Sequence, residues 1–244
     1  MKPKVFLGLP RLGQVEIESA IGAFVHATED KCEVTIEPKN SSLLAFGFNN
    51  LWCQFLNGTY DYFALLHADI HPDGPWLDVL IEQLKGADAV HAVVAIKDNR
   101  GLTSTAIGSK NDGFSPSRRL TVREVQSLPD TFSLGDIQRL LPGPLPPDPC
   151  LLPNTGVFAV RRRSWCYDFP GFTINDSIAV DSNGLRYARA EPEDWGFGRW
   201  AAKKGLVVKG TSLIKTTHFG RASYVNYVGW GEWDQDKQYV DFHR

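Results

Sequence analysis

The sequence predicts an α/β fold, one mostly parallel β-sheet with helices on both faces, and three observations predict it. Short apolar runs alternate with helix-spaced segments through the first hundred residues, the rhythm of strand, crossover helix and next parallel strand. Phe63-Ala64-Leu65-Leu66 is continuously apolar, as a strand covered on both faces must be. The 244 residues are 43% hydrophobic and 22% charged, enough for one large core and too few for a second independent domain of ordinary size.

Lys4 to Leu9 reads as the first strand, stopped by Pro10-Arg11-Leu12-Gly13. Val15, Ile17, Ile21, Phe24 and Val25 then fall at helical spacing. A strand-end loop with an arginine and a glycine suits a nucleotide base and its phosphates, although glycine also simply permits the turn. Glu33 to Pro38 alternates as a second strand. Ser41 or Ser42 is positioned to cap a helix whose apolar face is Leu43, Leu44, Phe46, Leu51, Phe55 and Leu56, ending at Asn57-Gly58. After the central strand at Tyr60, Pro75 opens a third helix, Gly86 closes it, and Ala87 to Ile96 reads as a fourth strand.

The rhythm changes after Lys97. Gly101 to Gly108 fits either a strand or an extended loop, and Ser109 to Gln126 is polar, basic and rich in turn formers. A helix at Leu134 to Leu141 runs into Pro142 to Pro149, a stiff surface segment and the expected internal seam. Asn154 to Arg163 returns to a buried strand with a basic end. Glu191 to Gly205 starts with acids, which also suit the positive end of a helix dipole, and continues as a helix with Trp195, Phe197 and Trp200 available for packing. A last strand, Leu206 to Lys215, leads to Thr216-Thr217-His218-Phe219-Gly220-Arg221. The tail sets Tyr224, Tyr227, Trp230 and Trp233 among glycines, to hinge at Gly220 and close over a ligand or to pack permanently.

The chemistry gathers where the central strand stops. His67, Asp69 and His71 alternate with Ala68 and Ile70, so in extended geometry all three face one side, outside the carboxyl end of the strand. Asp69 and His71 offer one carboxylate and one imidazole, a set suited to Mn²⁺ and less strictly to Mg²⁺. Two ligands are too few to hold an ion, and the bland account is a polar strand end with Asp69 capping the next helix. The net charge of −2 gives no global attraction to nucleic acid or anionic membrane. Cys32, Cys53, Cys150 and Cys166 lack C-x-x-C spacing, so neither zinc nor a disulfide framework is indicated. The N-terminal apolar run is too short for a signal peptide and no membrane-spanning run occurs, so reduced cytoplasm is the expected location.

Taken in order, Asp69-Ile70-His71 at a strand end, the N-x-G-x-F-x-V-R-R strand from Asn154 to Arg162 and the E-D-W-x-F helix start from Glu193 to Phe197 resemble the nucleotide-sugar glycosyltransferases of GT-A fold. The D-x-H form looks most like that of the polypeptide N-acetylgalactosaminyltransferases, without their lectin domain. The resemblance implies a GT-A-like, Rossmann-type sheet in a single domain, with residues 1–100 as the nucleotide-binding half and 101–244 as the acceptor half with its tail. It implies Mn²⁺ (or Mg²⁺) held by Asp69, His71 and His218, and a nucleotide-sugar donor, first of all a UDP-sugar. Pro10, Arg11, Asp69 and Arg221 would contact that donor, with Glu193 and Asp194 facing the acceptor hydroxyl. One departure from the pattern is Ala45-Phe46-Gly47-Phe48-Asn49-Asn50, where many relatives carry a basic residue, so pyrophosphate contacts must come from elsewhere. Arg118, Arg119, Arg123, Arg161, Arg162 and Arg163 are a candidate basic rim for a phosphate-bearing acceptor such as DNA, against the commoner account of a solvated surface. The competing classes are a nucleotidyltransferase and a non-catalytic nucleotide- or sugar-binding module of the same fold.

Overall fold

The computed structural model describes residues 2–11, 17–114, 117–141, 143–220 and 222–231. The first half follows the expected rhythm: β1 (Lys4–Arg11), α1 (Ile17–Phe24), β2 (Glu33–Asn40), α2 (Leu44–Asn57), β3 (Tyr62–Leu66), the short β4 (Ile70–Pro72), α3 (Trp76–Gln83) and β5 (Ala89–Ala92). Alternation along β1 sends Val5, Leu7 and Leu9 into a core shared with Trp76, Leu77 and Leu80 of α3. Phe6 turns the other way, into a core with Phe48, Leu51 and Phe55 of α2, which recur at the 3.6-residue period. Ser41 and Ser42 do not cap α2. The cap position is Leu43, and the Ser41 hydroxyl is engaged one step early, donating to the Leu43 carbonyl at 2.9 Å and accepting its N–H at 3.1 Å.

The second half runs β6 (Leu102–Ser109), β7 (Arg118–Thr121), α4 (Val122–Val125), β8 (Thr131–Phe132), α5 (Leu134–Leu140), β9 (Pro149–Leu152) and β10 (Val157–Arg161). It ends with β11 (Asn175–Val180), β12 (Arg186–Glu191), α6 (Glu193–Lys203), β13 (Val208–Thr211), β14 (Thr216–Phe219) and β15 (Ser223–Val225). The central sheet has the order β2-β1-β3-β10-β5-β13-β8. It is mostly parallel, but β10 runs antiparallel between β3 and β5, and β8 antiparallel at the edge.

Gly101 to Gly108 resolves as strand: β6 is the middle of a second sheet, β7-β6-β9. The hairpin β11-β12 has no counterpart among the expected elements, although Asn183-Gly184, with Gly184 at φ +81°, is a recognisable turn signal. The tail packs rather than standing off. β15 pairs with β14, which pairs with β4, and buried Asn226 donates to the carbonyls of Val93 and Ile214 at 2.9 Å while accepting the Thr216 N–H at 2.8 Å. Trp230 adds a bond from its indole N–H to the Val225 carbonyl at 2.9 Å. Arg221 and Trp233 lie outside the described residues.

Candidate functional site

A cleft of about 540 Å³ opens outside the carboxyl ends of β1 and β3, where open α/β sheets bind ligands. Pro10 and Arg11 come to it from β1, Ser41 and Ser42 from the start of α2, and His67 and Asp69 from the end of β3. Lys97, Phe219 and Gly220 close the far wall. The expected donor contacts Pro10, Arg11 and Asp69 therefore share one cavity. His67 of the expected strand-end cluster lines the same cavity, whereas Lys97 was missed as a cleft residue. The available signal was its position just beyond the apolar run of a strand.

His67, Asp69 and His71 do not alternate along one extended face. The Ile70 N–H donates to the His67 carbonyl at 3.1 Å, so the chain turns at Ala68 and Asp69 before β4 begins. In the β4-β14 ladder Ile70 stands opposite His218 and His71 opposite Thr217. Directly opposed residues share a face and neighbours alternate, so His71 and His218 occupy opposite faces. His71 lies instead beside α1, where a Cβ at Gly22 would sit 3.0 Å from its Nδ1, and its Nε2 is 3.4 Å from Asp73 Oδ1.

Asp69 and His218 do meet, with Nε2 of His218 3.5 Å from Asp69 Oδ2. The His218 Nδ1 lies 2.8 Å from the Ala95 carbonyl, which turns Nε2 toward the carboxylate. The same Asp69 Oδ2 accepts a hydrogen bond from the Lys97 ammonium. Burial pushes the Asp69 carboxyl up, but the bonds from His218 and Lys97 outweigh it and hold the group well below the usual carboxylate range. Burial drives His67 down to about 4, so a neutral ring stands beside Asp69.

These residues do not fit the implied Mn²⁺ site as the resemblance draws it. Asp69 and His218 supply one carboxylate and one imidazole, their shared oxygen already holds an ammonium, and the third ligand lies on the other face of the ladder. Among the described residues no group of three or more His, Cys, Asp or Glu side chains could hold a metal ion.

Glu193 and Asp194 occupy the first turn of α6, where Asp194 Oδ1 accepts the Trp195 N–H at 2.8 Å. Burial pushes both carboxyls up, and the charge of Glu193 raises Asp194 further. Neither acid lines the cleft. Thr155 connects them to it, with its backbone N–H toward Asp194 and its hydroxyl 3.4 Å from His67 Nε2. The turn that carries Thr155 explains the N-x-G pattern structurally. Asn154 donates to the Ala92 carbonyl at 2.7 Å and accepts the Gly156 N–H at 3.0 Å, while a Cβ on Gly156 would lie 2.5 Å from Ile70 Cδ1.

Half of the expected basic rim is consumed by the fold, whereas Arg123, Arg161 and Arg163 stay exposed. Arg118 is buried and paired with Glu124, and Arg119 lies 4.6 Å from the centre of the Trp195 ring. Arg162 donates to the carbonyls of Tyr60 at 2.5 Å and of Leu56 and Gly58 at 3.1 Å. An arginine that satisfies backbone carbonyls around a helix end has few donors left for a phosphate.

His91 provides a pH test of the core beside the site. It is fully buried, with Nδ1 3.0 Å from Asn154 Nδ2 and 3.2 Å from the Ala92 carbonyl, and burial lowers it to about 4. The unfolded chain, with an ordinary imidazole, binds the extra proton first as pH falls. Stability is therefore full above about pH 6.5 and declines toward pH 4, by up to about 3 kcal/mol from this residue. Urea denaturation across that window should show the decline, and because His67 is lowered alike, a His91→Gln variant should lose about half of the slope that the two histidines supply.

The fold and site define an α/β protein with a mostly parallel sheet and a polar cleft at its strand ends. Among solved structures the chain is similar to A197 from STIV, with a TM-score of 0.52 and 13% sequence identity over 95% of this chain and 98% of that one. At that identity the likeness concerns the fold alone. No protein-family model matches the chain, and no curated protein matches it either. Among the described residues no helix is long and apolar enough to cross a membrane.

Proposed function

We propose that this protein is a glycosyltransferase of GT-A-like fold that moves a sugar from a nucleotide-diphosphate sugar, first of all a UDP-sugar, to an acceptor hydroxyl. The observation that carries the proposal is the convergence of Arg11, Asp69 and Lys97 on one cleft at the strand ends. Two cationic side chains suit a diphosphate, and the pocket is large enough for a nucleotide. Thr155 then ties the cleft to the carboxyl pair of α6, of which Asp194 serves as the base that takes the acceptor proton.

The absence of Glu193 and Asp194 from the cleft lining favours one second reading, a module that binds the nucleotide and performs no transfer. Incubation with a panel of nucleotide sugars separates the two. Release of free nucleoside diphosphate from one donor, above the rate without protein, is the expected result. Binding without release would leave the module, and neither binding nor release from any donor would end both readings.

A further inference from the structure

We infer that Lys97 is the resident counter-charge of the cleft, so that its ammonium receives the diphosphate of the nucleotide and binding proceeds without a divalent cation. The inference rests on the proposed function and deepens it.

Three independent features of the structure lead there. The Lys97 ammonium bonds to the same Asp69 oxygen that faces His218 Nε2, which is the position a bridging cation would have to take. A divalent ion needs a full shell of donors, and here the third expected ligand, His71, is turned to the other face of its ladder. Lysine needs only one anchoring acceptor and keeps two further N–H donors for phosphate oxygens.

The second feature is that the chain has made room for this side chain. A Cβ at position 220 would stand 2.9 Å from Lys97 Cδ and 3.4 Å from Cγ, so the stem of Lys97 runs close over Gly220 and a side chain there would displace it. Gly220 lines the cleft next to Phe219, whose N–H donates to the Asp69 carbonyl at 2.8 Å. The lysine is thus seated in a groove between the two segments that also present Asp69 and His218.

The third is the charge balance of the wall. Among the described residues that line it, Arg11 and Lys97 are cationic and Asp69 is anionic. The first turn of α2 meets the same cleft, and no side chain caps it, so its N–H groups add to the attraction for an anion. Asp69 acts here as a positioning residue that holds the ammonium in place.

Calorimetric titration of the full-length protein with UDP, GDP, ADP and CDP, each in excess EDTA and in Mn²⁺, tests the inference. The tightest of these nucleotides should bind in EDTA within about three-fold of its affinity in Mn²⁺. Lys97→Met should weaken binding roughly ten- to hundred-fold, the loss of one charge-assisted contact. Gly220→Ala, which displaces the stem and removes no charge, should weaken it in the same direction by a smaller factor. Binding that disappears in EDTA and returns with Mn²⁺ would overturn the inference and leave the glycosyltransferase proposal standing. Unchanged affinity in Lys97→Met would do the same. If none of the four nucleotides binds under either condition, both fall together.

Discussion

Replacing Asp194 by Asn should lower turnover by about two to four orders of magnitude while nucleotide binding in the cleft stays close to that of the parent protein. The substitution is nearly isosteric, and the amide oxygen keeps the bond accepted from the Trp195 N–H, so α6 should begin as before. What is lost is the proton acceptor. Burial and then the neighbouring Glu193 charge raise the Asp194 carboxyl, which brings a carboxylate base closer to the pH at which it works. A base must be ionised to act, so the rate should rise with pH through the Asp194 titration. Glu193→Gln removes the neighbouring charge and should shift that limb to lower pH with a smaller loss of rate. Normal turnover in Asp194→Asn would remove the base assignment. The anomeric configuration of the product, read by NMR, distinguishes inversion from retention. In a retaining enzyme the same acid would position the acceptor, and the effect would move toward the acceptor KM.

The second large effect belongs to stability. Arg199→Met should cost about 3–5 kcal/mol, because it strands a buried carboxylate. Arg199 Nε donates to Glu191 Oε1, with the two side chains only 6% and 5% exposed. Glu191 Oε2 is left with Asn175 Nδ2 at 3.1 Å, too little to hold an ionised group out of water. The packing around the pair is close, since a Cβ at Gly113 would lie 2.3 Å from Glu191 Oε2. Glu191 ends β12 two residues before the first turn of α6, so this pair also fixes where Glu193 and Asp194 sit. The double variant Arg199→Met, Glu191→Gln should recover most of the loss, since a pair replaced together leaves no unpaired charge. Urea midpoints of the single and double variants measure this. Equal destabilisation by both would show that shape rather than charge sets the cost.

The local periodicity of the chain determined much of the architecture without tertiary information. Leu7, Phe48, Leu51, Phe55 and Phe63 are spaced by the strand and helix repeats of 2 and 3.6, so the helices and parallel strands of the first half stand near their expected places. Pro10, Arg11 and Asp69 were recognisable because ligands collect just past strand ends, and strand ends show as breaks in an apolar run. Tertiary structure decided the rest. The single turn at Ala68 and Asp69 cancels the alternation that had placed His71 with Asp69, and no local pattern announces a turn closed by one backbone bond. The antiparallel entry of β10 depends on which strand it pairs with, a contact to β3 about ninety residues away. Lys97 carries no motif at all. Its seat against Asp69, over Gly220 and beside His218, joins segments far apart in the chain, and only the β4-β14 ladder brings them to one oxygen atom.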